Sequence, residues 1–214
     1  MKIDFVSDVV CPWCAIGLAS LEQALQRVAP GIEPSIHFQP FELNPDMPPE
    51  GEDIVLHLTR KYGSTPEQVA ANAEAIRQRG AALGFRFGIG KRSRTYNTFD
   101  AHRLLHWAGL QGEAAQRALK HGLLAAYFTD GENPSDRALL ARVAGEAGLD
   151  ATEAAAVLAD GRYADEVREA QALYRQHGIS SVPSIIIDDQ YLISGGQPPE
   201  VFEQALRQIA ARQA

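Results

Sequence analysis

Two cysteines three positions apart are the residues of this chain best suited to do chemistry. Cys11 and Cys14, separated by Pro12 and Trp13, are the only cysteines among 214 residues. A thiol pair at this spacing can close a small disulfide ring within one helical turn. At a helix N-terminus the first sulfur is shifted toward thiolate, the form that attacks disulfides. The pair therefore indicates thiol–disulfide exchange, with Cys11 the more exposed sulfur and Cys14 one turn further in.

Two other interpretations of the pair are weaker. Two ordinary buried cysteines would require neither a strand before them nor a helix after them. Half of a zinc site would require more ligands, and the sequence has no second CxxC or CxxH to complete a set of four. His102 and His106 are four apart on a predicted helix, but no third ligand stands at a matching spacing. A role in the core or at an interface is favoured for them, and we expect no metal site.

The elements around the pair predict a β-α-β start. Residues 2–7 are a short apolar run typical of a strand, residues 17–28 carry apolar side chains at helical spacing, and residues 35–39 alternate as a second strand. The thiol pair follows the first strand directly. It therefore lies at the first β-to-α junction.

A long helical stretch follows a turn-rich link at residues 44–49. From about Glu52 to His177 the pattern is helical almost throughout. Thr65-Pro66-Glu67-Gln68 has the signature of a capped helix start, and Asn133-Pro134 predicts another helix start. Residues 184–193 then predict a β-hairpin, and residues 195–198 open a final helix.

Val182-Pro183 precedes the first strand of that hairpin. A proline cannot donate to a β ladder, so this one begins a strand or lies at an edge. X-Pro bonds are also the ones that readily adopt the cis form. Beside the cysteines, such a proline would leave the backbone of Val182 free to pair with an extended substrate segment. An ordinary trans proline capping a strand is the alternative, and spacing alone does not decide between them.

Together these features resemble the DsbA-like branch of thioredoxin-fold proteins, and within it the FrnE-type dithiol oxidoreductases. The resemblance covers nearly the whole chain. It depends on residues 7–14, 38–45, 97–98 with 101–104, and 194–198. It implies an α/β thioredoxin-like fold (β-α-β … α-β-β-α) with a large all-helical insertion between the two halves. We expect residues 1–43 and 161–214 to form the thioredoxin-like domain and residues 44–160 to form the insertion.

The resemblance also implies roles for individual residues. Cys11 is expected to attack, Cys14 to resolve, and Pro183 to be cis and to face Cys11. Family members carry an acid on the first strand that helps to move the Cys14 proton, and Asp4 fits this position only with one residue inserted before Cys11. Many relatives have an aromatic residue after the second cysteine, where this chain has Ala15.

Seven further residues are candidates for substrate binding. His102 is expected to line the cleft facing Cys11, and Asn97 either caps the next helix or binds a ligand. Residues 195–197 precede a helix N-terminus, which favours a carboxylate such as that of glutathione. A glycine turn is the alternative there. The seven candidates are Pro12, Trp13, Val182, Asn97, His102, Gly196 and Gln197.

Charge and composition exclude several classes of function. The net charge of −7 lacks the basic footprint of a nucleic-acid-binding protein. No apolar run approaches the roughly 18 residues of a membrane span. Without a recognisable leader the expected compartment is the cytoplasm, where a lone CxxC is more typically redox-active than structural. We expect no bound cofactor, with glutathione as a candidate co-substrate, a cellular thiol as reductant, and a homodimer left open.

Three functions follow in order of preference. The first is a thiol–disulfide oxidoreductase acting on a protein or small-molecule disulfide or dithiol, with disulfide isomerase activity left open. The second is a glutathione-dependent isomerase or transferase like the 2-hydroxychromene-2-carboxylate isomerases and kappa-class transferases. These keep a hydroxyl or a single nucleophile where this chain has two thiols. The third is a thiol-independent binding or chaperone protein that uses apolar surface around Trp13, Phe41 and the insertion.

Overall fold

A four-stranded sheet forms the centre of the fold in the computed structural model, which describes residues 1–213. Its strand order is β2-β1-β5-β6. β2 runs parallel to β1, whereas β5 is antiparallel to β1 and β6 is antiparallel to β5. This topology confirms the predicted thioredoxin-like arrangement. The strands are β1 (Lys2–Ser7), β2 (Ser35–Pro40), β3 (Glu52–Asp53), β4 (Arg94–Thr95), β5 (Ser184–Ile187) and β6 (Tyr191–Ser194).

Helices cover both faces of this sheet and build most of the insertion. Across residues 1–213, none is long and apolar enough to cross a membrane. A π-helical turn over Ala126–Asp130 continues α5. The helices are α1 (Pro12–Val28), α2 (Ile54–Tyr62), α3 (Pro66–Ala82), α4 (Phe99–Gln111), α5 (Glu113–Ala125), α6 (Arg137–Glu146), α7 (Ala151–Asp160), α8 (Ala164–Gln176) and α9 (Pro199–Gln213).

Strand β1 separates two apolar clusters because successive side chains of a strand point to opposite faces. Ile3 and Phe5 join the main core with α1, α9 and the inner helices of the insertion. Val6 points the other way and packs with Phe41 and with Tyr174 of α8. The end of β1, which leads into the cysteines, is therefore held from both sides.

The insertion confirms one predicted helix start and corrects another. Thr65 Oγ1 accepts from the Gln68 N–H, and Gln68 Oε1 accepts from the Thr65 N–H, so the predicted capping box is present. Asn133-Pro134 does not begin a helix. Helix α6 begins at Arg137 because the Asp136 carboxylate accepts from the N–H of Ala138 at 2.8 Å. The insertion also contains one short antiparallel ladder, β3 with β4, besides its helices.

The predicted hairpin is closed by two aspartates. Asp188 and Asp189 have φ of 50° and 57°, the pattern of a two-residue turn that matches the twist of its strands. Lys2 ties the turn to β1, with its N–H 2.7 Å from Asp188 Oδ1 and its Nζ 2.8 Å from Asp189 Oδ1. The hairpin is thereby fixed against the strand that leads to Cys11.

Arg103 is a buried cross-link inside the insertion. From α4 it donates to the carbonyl oxygens of Arg162, at 2.8 Å, and of Val157, and it pairs with Asp100 at 2.7 Å. Carbonyls at a helix C-terminus lack partners within their own helix. Arg103 therefore closes the end of α7 and joins it to α4.

Candidate active site at the thiol pair

Cys11 is the residue that begins α1. It is the N-cap, with extended backbone angles of φ −89° and ψ 114°, and Pro12 occupies the first helical turn. Both cysteines are free thiols. Cys11 is 4% exposed and Cys14 is 0% exposed, so both residues are buried and Cys11 is the slightly more exposed of the two.

The two thiols differ in their affinity for a proton. A hydrogen bond from the Cys14 thiol lowers the pKa of Cys11 against the opposing effect of burial. The backbone N–H groups of Cys14 and Trp13 at the helix start also lower the pKa of Cys11. The side chain of Cys11 forms no capping hydrogen bond with the helix. Burial, reinforced by the Cys11 hydrogen bond and charge, raises the pKa of Cys14 well above its ordinary value. The arrangement therefore favours a thiolate at Cys11 and a thiol at Cys14.

Val182 and Pro183 lie against the thiol pair. The peptide bond between them is cis, as the resemblance implied, and the Val182 carbonyl oxygen is 3.6 Å from Cys11 Sγ. Helix α1 approaches Pro183 closely because residue 17 is glycine. A Cβ at Gly17 would lie 2.9 Å from Pro183 Cγ, and a Cβ at Gly196 would lie 2.9 Å from the Trp13 carbonyl oxygen. The structure thus brings the thiol pair, Trp13, Val182, Pro183 and Gly196 together with Gly17, a contact residue that the sequence analysis missed.

A buried carboxylate lies between β1 and Cys11. Asp8 accepts from the N–H of Leu43 at 2.8 Å and from the N–H of Val10 at 3.4 Å. His102 Nε2 lies 3.5 Å from its Oδ1. Burial by itself would raise the pKa of Asp8, but the hydrogen bonds and the charge of His102 outweigh burial and lower it. Asp8 is therefore held ionised, and its charge opposes ionisation of Cys11.

Asp4 does not face the cysteines. It is buried on the opposite side of β1, where it pairs with Lys2 at 2.9 Å and accepts from Gln39 Nε2 at 2.7 Å. The acid nearest to Cys11 in the structure is Asp8. The β1 register decides this, because Asp4 shares its face with Val6 and Tyr174.

The insertion contributes a cationic rim above the thiols. The Arg79 guanidinium lies 5.3 Å from the ring centroid of Trp13, which is 40% exposed. Its Nη2 donates to the Gly196 carbonyl oxygen at 2.6 Å. Lys61 of α2 acts on Cys11 through its charge, although burial lowers the pKa of Lys61. Neither cation was predicted, because each is an ordinary surface residue in the pattern of its own helix.

Three predicted binding residues have other partners. His102 is buried against Asp8, and the cleft that it borders is lined by residues such as His37 and His106 and not by Cys11. Asn97 lies one residue before Thr98, the N-cap of α4, and its Oδ1 accepts from the N–H of Phe99, the first residue of that helix, at 2.9 Å. Gln197 Nε2 donates to the Ser194 carbonyl oxygen at 2.8 Å and stabilises the turn before α9. In these positions the three side chains support the site and do not present themselves to a substrate.

Comparison with known proteins identifies relatives of this arrangement. The DSBA-like thioredoxin domain matches residues 2–207. YwbO of Bacillus subtilis (strain 168) is 27% identical over 207 residues, which cover 96% of each chain. The crystal structure of the probable DsbA oxidoreductase SCO1869 from Streptomyces coelicolor has a TM-score of 0.92 at 36% identity. That match covers 100% of this chain and 91% of the other.

Two more distant structures share the fold alone. A 2-hydroxychromene-2-carboxylate isomerase has a TM-score of 0.71 at 16% identity, covering 100% of this chain and 98% of the other. The cytosolic disulfide reductase DsbM from Pseudomonas aeruginosa, solved with GSH, has a TM-score of 0.66 at 14% identity, covering 97% and 98%. The matches confirm the predicted fold and the DsbA-like resemblance. The chain belongs to the DSBA-like thioredoxin domain family.

Proposed function

We propose that this protein is a thiol–disulfide oxidoreductase in which Cys11 attacks and Cys14 resolves. The observation that carries the proposal is the asymmetry of the buried pair. Cys11 has a lowered pKa at the start of α1, whereas Cys14 keeps its proton one turn deeper. A thiolate at the surface and a thiol beneath it are what a two-step exchange requires.

The reaction transfers two electrons from the two cysteine thiols to the substrate disulfide. The Cys11 thiolate attacks one sulfur of a substrate disulfide, and the other sulfur leaves as a thiolate. Cys14 then loses its proton and attacks Cys11 Sγ, so that the Cys11–Cys14 bond forms and the second substrate sulfur leaves. The substrate disulfide is reduced to two thiols, and the pair is oxidised. Two equivalents of a cellular thiol such as glutathione restore the pair, and the reverse sequence oxidises a dithiol.

The surroundings of Cys11 support an extended peptide or glutathione as the substrate class. The Val182 carbonyl lies at the sulfur, and Trp13 offers an exposed apolar face beside it. Arg79 and Lys61 supply positive charge that attracts a carboxylate. The chemistry requires no metal, flavin or nucleotide. We place it in a reducing compartment such as the cytoplasm, where lone CxxC pairs are typically catalytic.

The test is catalysed reduction of a peptide disulfide, with glutathione as the source of electrons. We expect wild-type protein to turn over and Cys11→Ser to lose at least 99% of the activity. Cys14→Ser should accumulate a mixed disulfide with glutathione at Cys11, which mass spectrometry detects. Ser20→Ala, a change to another buried polar residue of α1, is the matched control and should retain activity. Full activity of Cys11→Ser would overturn the mechanism.

The same variants separate the two alternatives. Activity that requires glutathione and survives Cys14→Ser would identify a glutathione-dependent isomerase or transferase. Suppression of client aggregation by the double Cys→Ser variant, without any thiol turnover, would identify a binding or chaperone protein.

A further inference from the structure

Lys120 is a fully buried lysine of α5 without a hydrogen-bond partner. Its exposure is 0%, and Nζ contacts no acceptor among residues 1–213. Its Nζ lies 5.9 Å from the ring centroid of Phe38 on β2. Buried lysines are rare unless they are paired. An ammonium group in such a place costs several kcal/mol of desolvation, which nothing in its hydrogen bonding offsets.

Lys120 lies in the part of the core that holds the thiol pair, because Phe38 beside its Nζ, its chain neighbour Leu119 and Cys14 all belong to one buried cluster. The groups whose negative charge reaches Lys120 are Cys14, Asp8 and Cys11, in decreasing order. The attraction is reciprocal, because Lys120 is the cation that favours ionisation of Cys14. Asp8 is already held by His102 and by backbone N–H groups. Cys14 therefore has the most to gain from this lysine.

We propose that Lys120 is a positioning residue for the resolving step, whose buried ammonium stabilises the negative charge that develops on Cys14 Sγ as Cys14 attacks the mixed disulfide. This inference rests on the function proposed above. The Cys14–Cys11 bond forms, the bond from Cys11 to the substrate sulfur breaks, and the proton of Cys14 ends on the leaving substrate sulfur, which departs as a thiol. Lys120 exchanges no electrons in this step. Burial lowers the pKa of Lys120, and the negative charges of Cys14, Asp8 and Cys11 oppose that lowering, so that charge developing on Cys14 Sγ favours the ammonium form.

The expected size of the effect follows from two opposing trends. Each unit by which the pKa of Cys14 rises reduces its thiolate fraction about tenfold. The remaining thiolate gains about threefold in nucleophilicity, because reactivity rises with basicity by roughly half of the change in pKa. Loss of the lysine charge should therefore slow resolution by about threefold for each unit of that rise.

The experiment compares Lys120→Met with Leu124→Met, a neutral change at a buried position one turn along the same helix. Wild-type and variant proteins are first given the same mixed disulfide at Cys11, and formation of the Cys11–Cys14 disulfide is followed from pH 6 to pH 9. Lys120→Met should resolve at least about threefold more slowly at neutral pH, and its rate profile should move to higher pH. Leu124→Met should follow the wild type, and Lys120→Arg should recover most of the rate.

The urea midpoint distinguishes a role of Lys120 in the resolving step from a role in holding the fold together. Because the lysine is unpaired, Lys120→Met should unfold in urea at the wild-type midpoint or above it. A lowered midpoint together with an unchanged resolution rate would overturn the proposal, as would equal slowing in Lys120→Met and Lys120→Arg. Failure of wild-type protein to resolve any mixed disulfide would instead refute the proposed function itself.

Discussion

Replacing Asp8 by asparagine removes the buried negative charge closest to Cys11 and keeps the size of the side chain. The asparagine oxygen can accept from only one of the two N–H groups that the carboxylate binds, those of Leu43 and Val10. Its neutral amide also removes the anion that faces His102 Nε2 at 3.5 Å. A buried N–H left without its acceptor costs about 1–3 kcal/mol, and relief of carboxylate burial returns part of it. We expect a loss of about 1–2 kcal/mol at pH 7.

The pH dependence of that loss has a defined sign. The fold lowers the pKa of Asp8, so its ionised form stabilises the protein above its unfolded value of about 3.9. The stabilisation is lost as the pH falls through the lower folded value. Urea unfolding of the reduced protein should show a constant difference between wild type and Asp8→Asn from pH 7 to about pH 5. The difference should shrink below about pH 4.

The Asp8→Asn variant also tests how the charge of Asp8 affects the pKa of Cys11. Because the charge of Asp8 opposes ionisation of Cys11, Asp8→Asn should lower the pKa of Cys11, measured by thiolate absorbance in the ultraviolet. Asp4→Asn is the matched control, since Asp4 is equally buried on the opposite face of β1. The reasoning is refuted by equal stability at pH 7, by a difference that grows on acidification, or by an equal effect of Asp4→Asn on Cys11.

Three further variants test the framework around the site. Gly17→Ala gains about 1 kcal/mol of helix propensity but places a Cβ 2.9 Å from Pro183 Cγ. Overpacking of about 1–3 kcal/mol should therefore lower the urea midpoint and slow attack by Cys11; a rise in both would contradict this contact. Arg103→Met leaves several carbonyls without their donor and leaves Asp100 with Arg137 as its remaining cation, so unfolding should cost about 3 kcal/mol less, and an unchanged midpoint would argue against it. Thr65→Ala should lose about 1 kcal/mol with the capping box, measured by urea unfolding beside Thr152→Ala, whose side chain caps no helix.

Local pattern was sufficient for most of the elements. Strand β1, the capping box at Thr65 and the hairpin after Ile187 were predictable because each depends on residues within a few positions of one another. The start of α6 was not, because Asn133 and Asp136 are both good caps. Asn133 Oδ1 is used by the N–H of Ser135 in the preceding turn. Competition between equivalent local signals is resolved only when the chain packs.

The site was predictable where it is local and unpredictable where it crosses elements. Lys120 could have been suspected, because it lies on the apolar stripe of α5 with Leu119, Leu123 and Leu124. Its partner could not, because Cys14 is more than a hundred residues away. His102 was predicted to face the cleft, and the packing of α4 turned it toward Asp8 instead.

The order of residues along the chain was enough to predict the candidate reactive pair. Cys11 and Cys14 are one helical turn apart, close after a strand, and helix geometry alone predicts that the first thiol is the more exposed of the two. The proton affinities of the two thiols were decided by the tertiary structure. They depend on burial and on the charges of Asp8 and Lys120, and only the folded chain brings Lys120 to the pair. Electrostatic energies depend on distance in space and on exclusion of water, and neither quantity can be read from separation along the sequence.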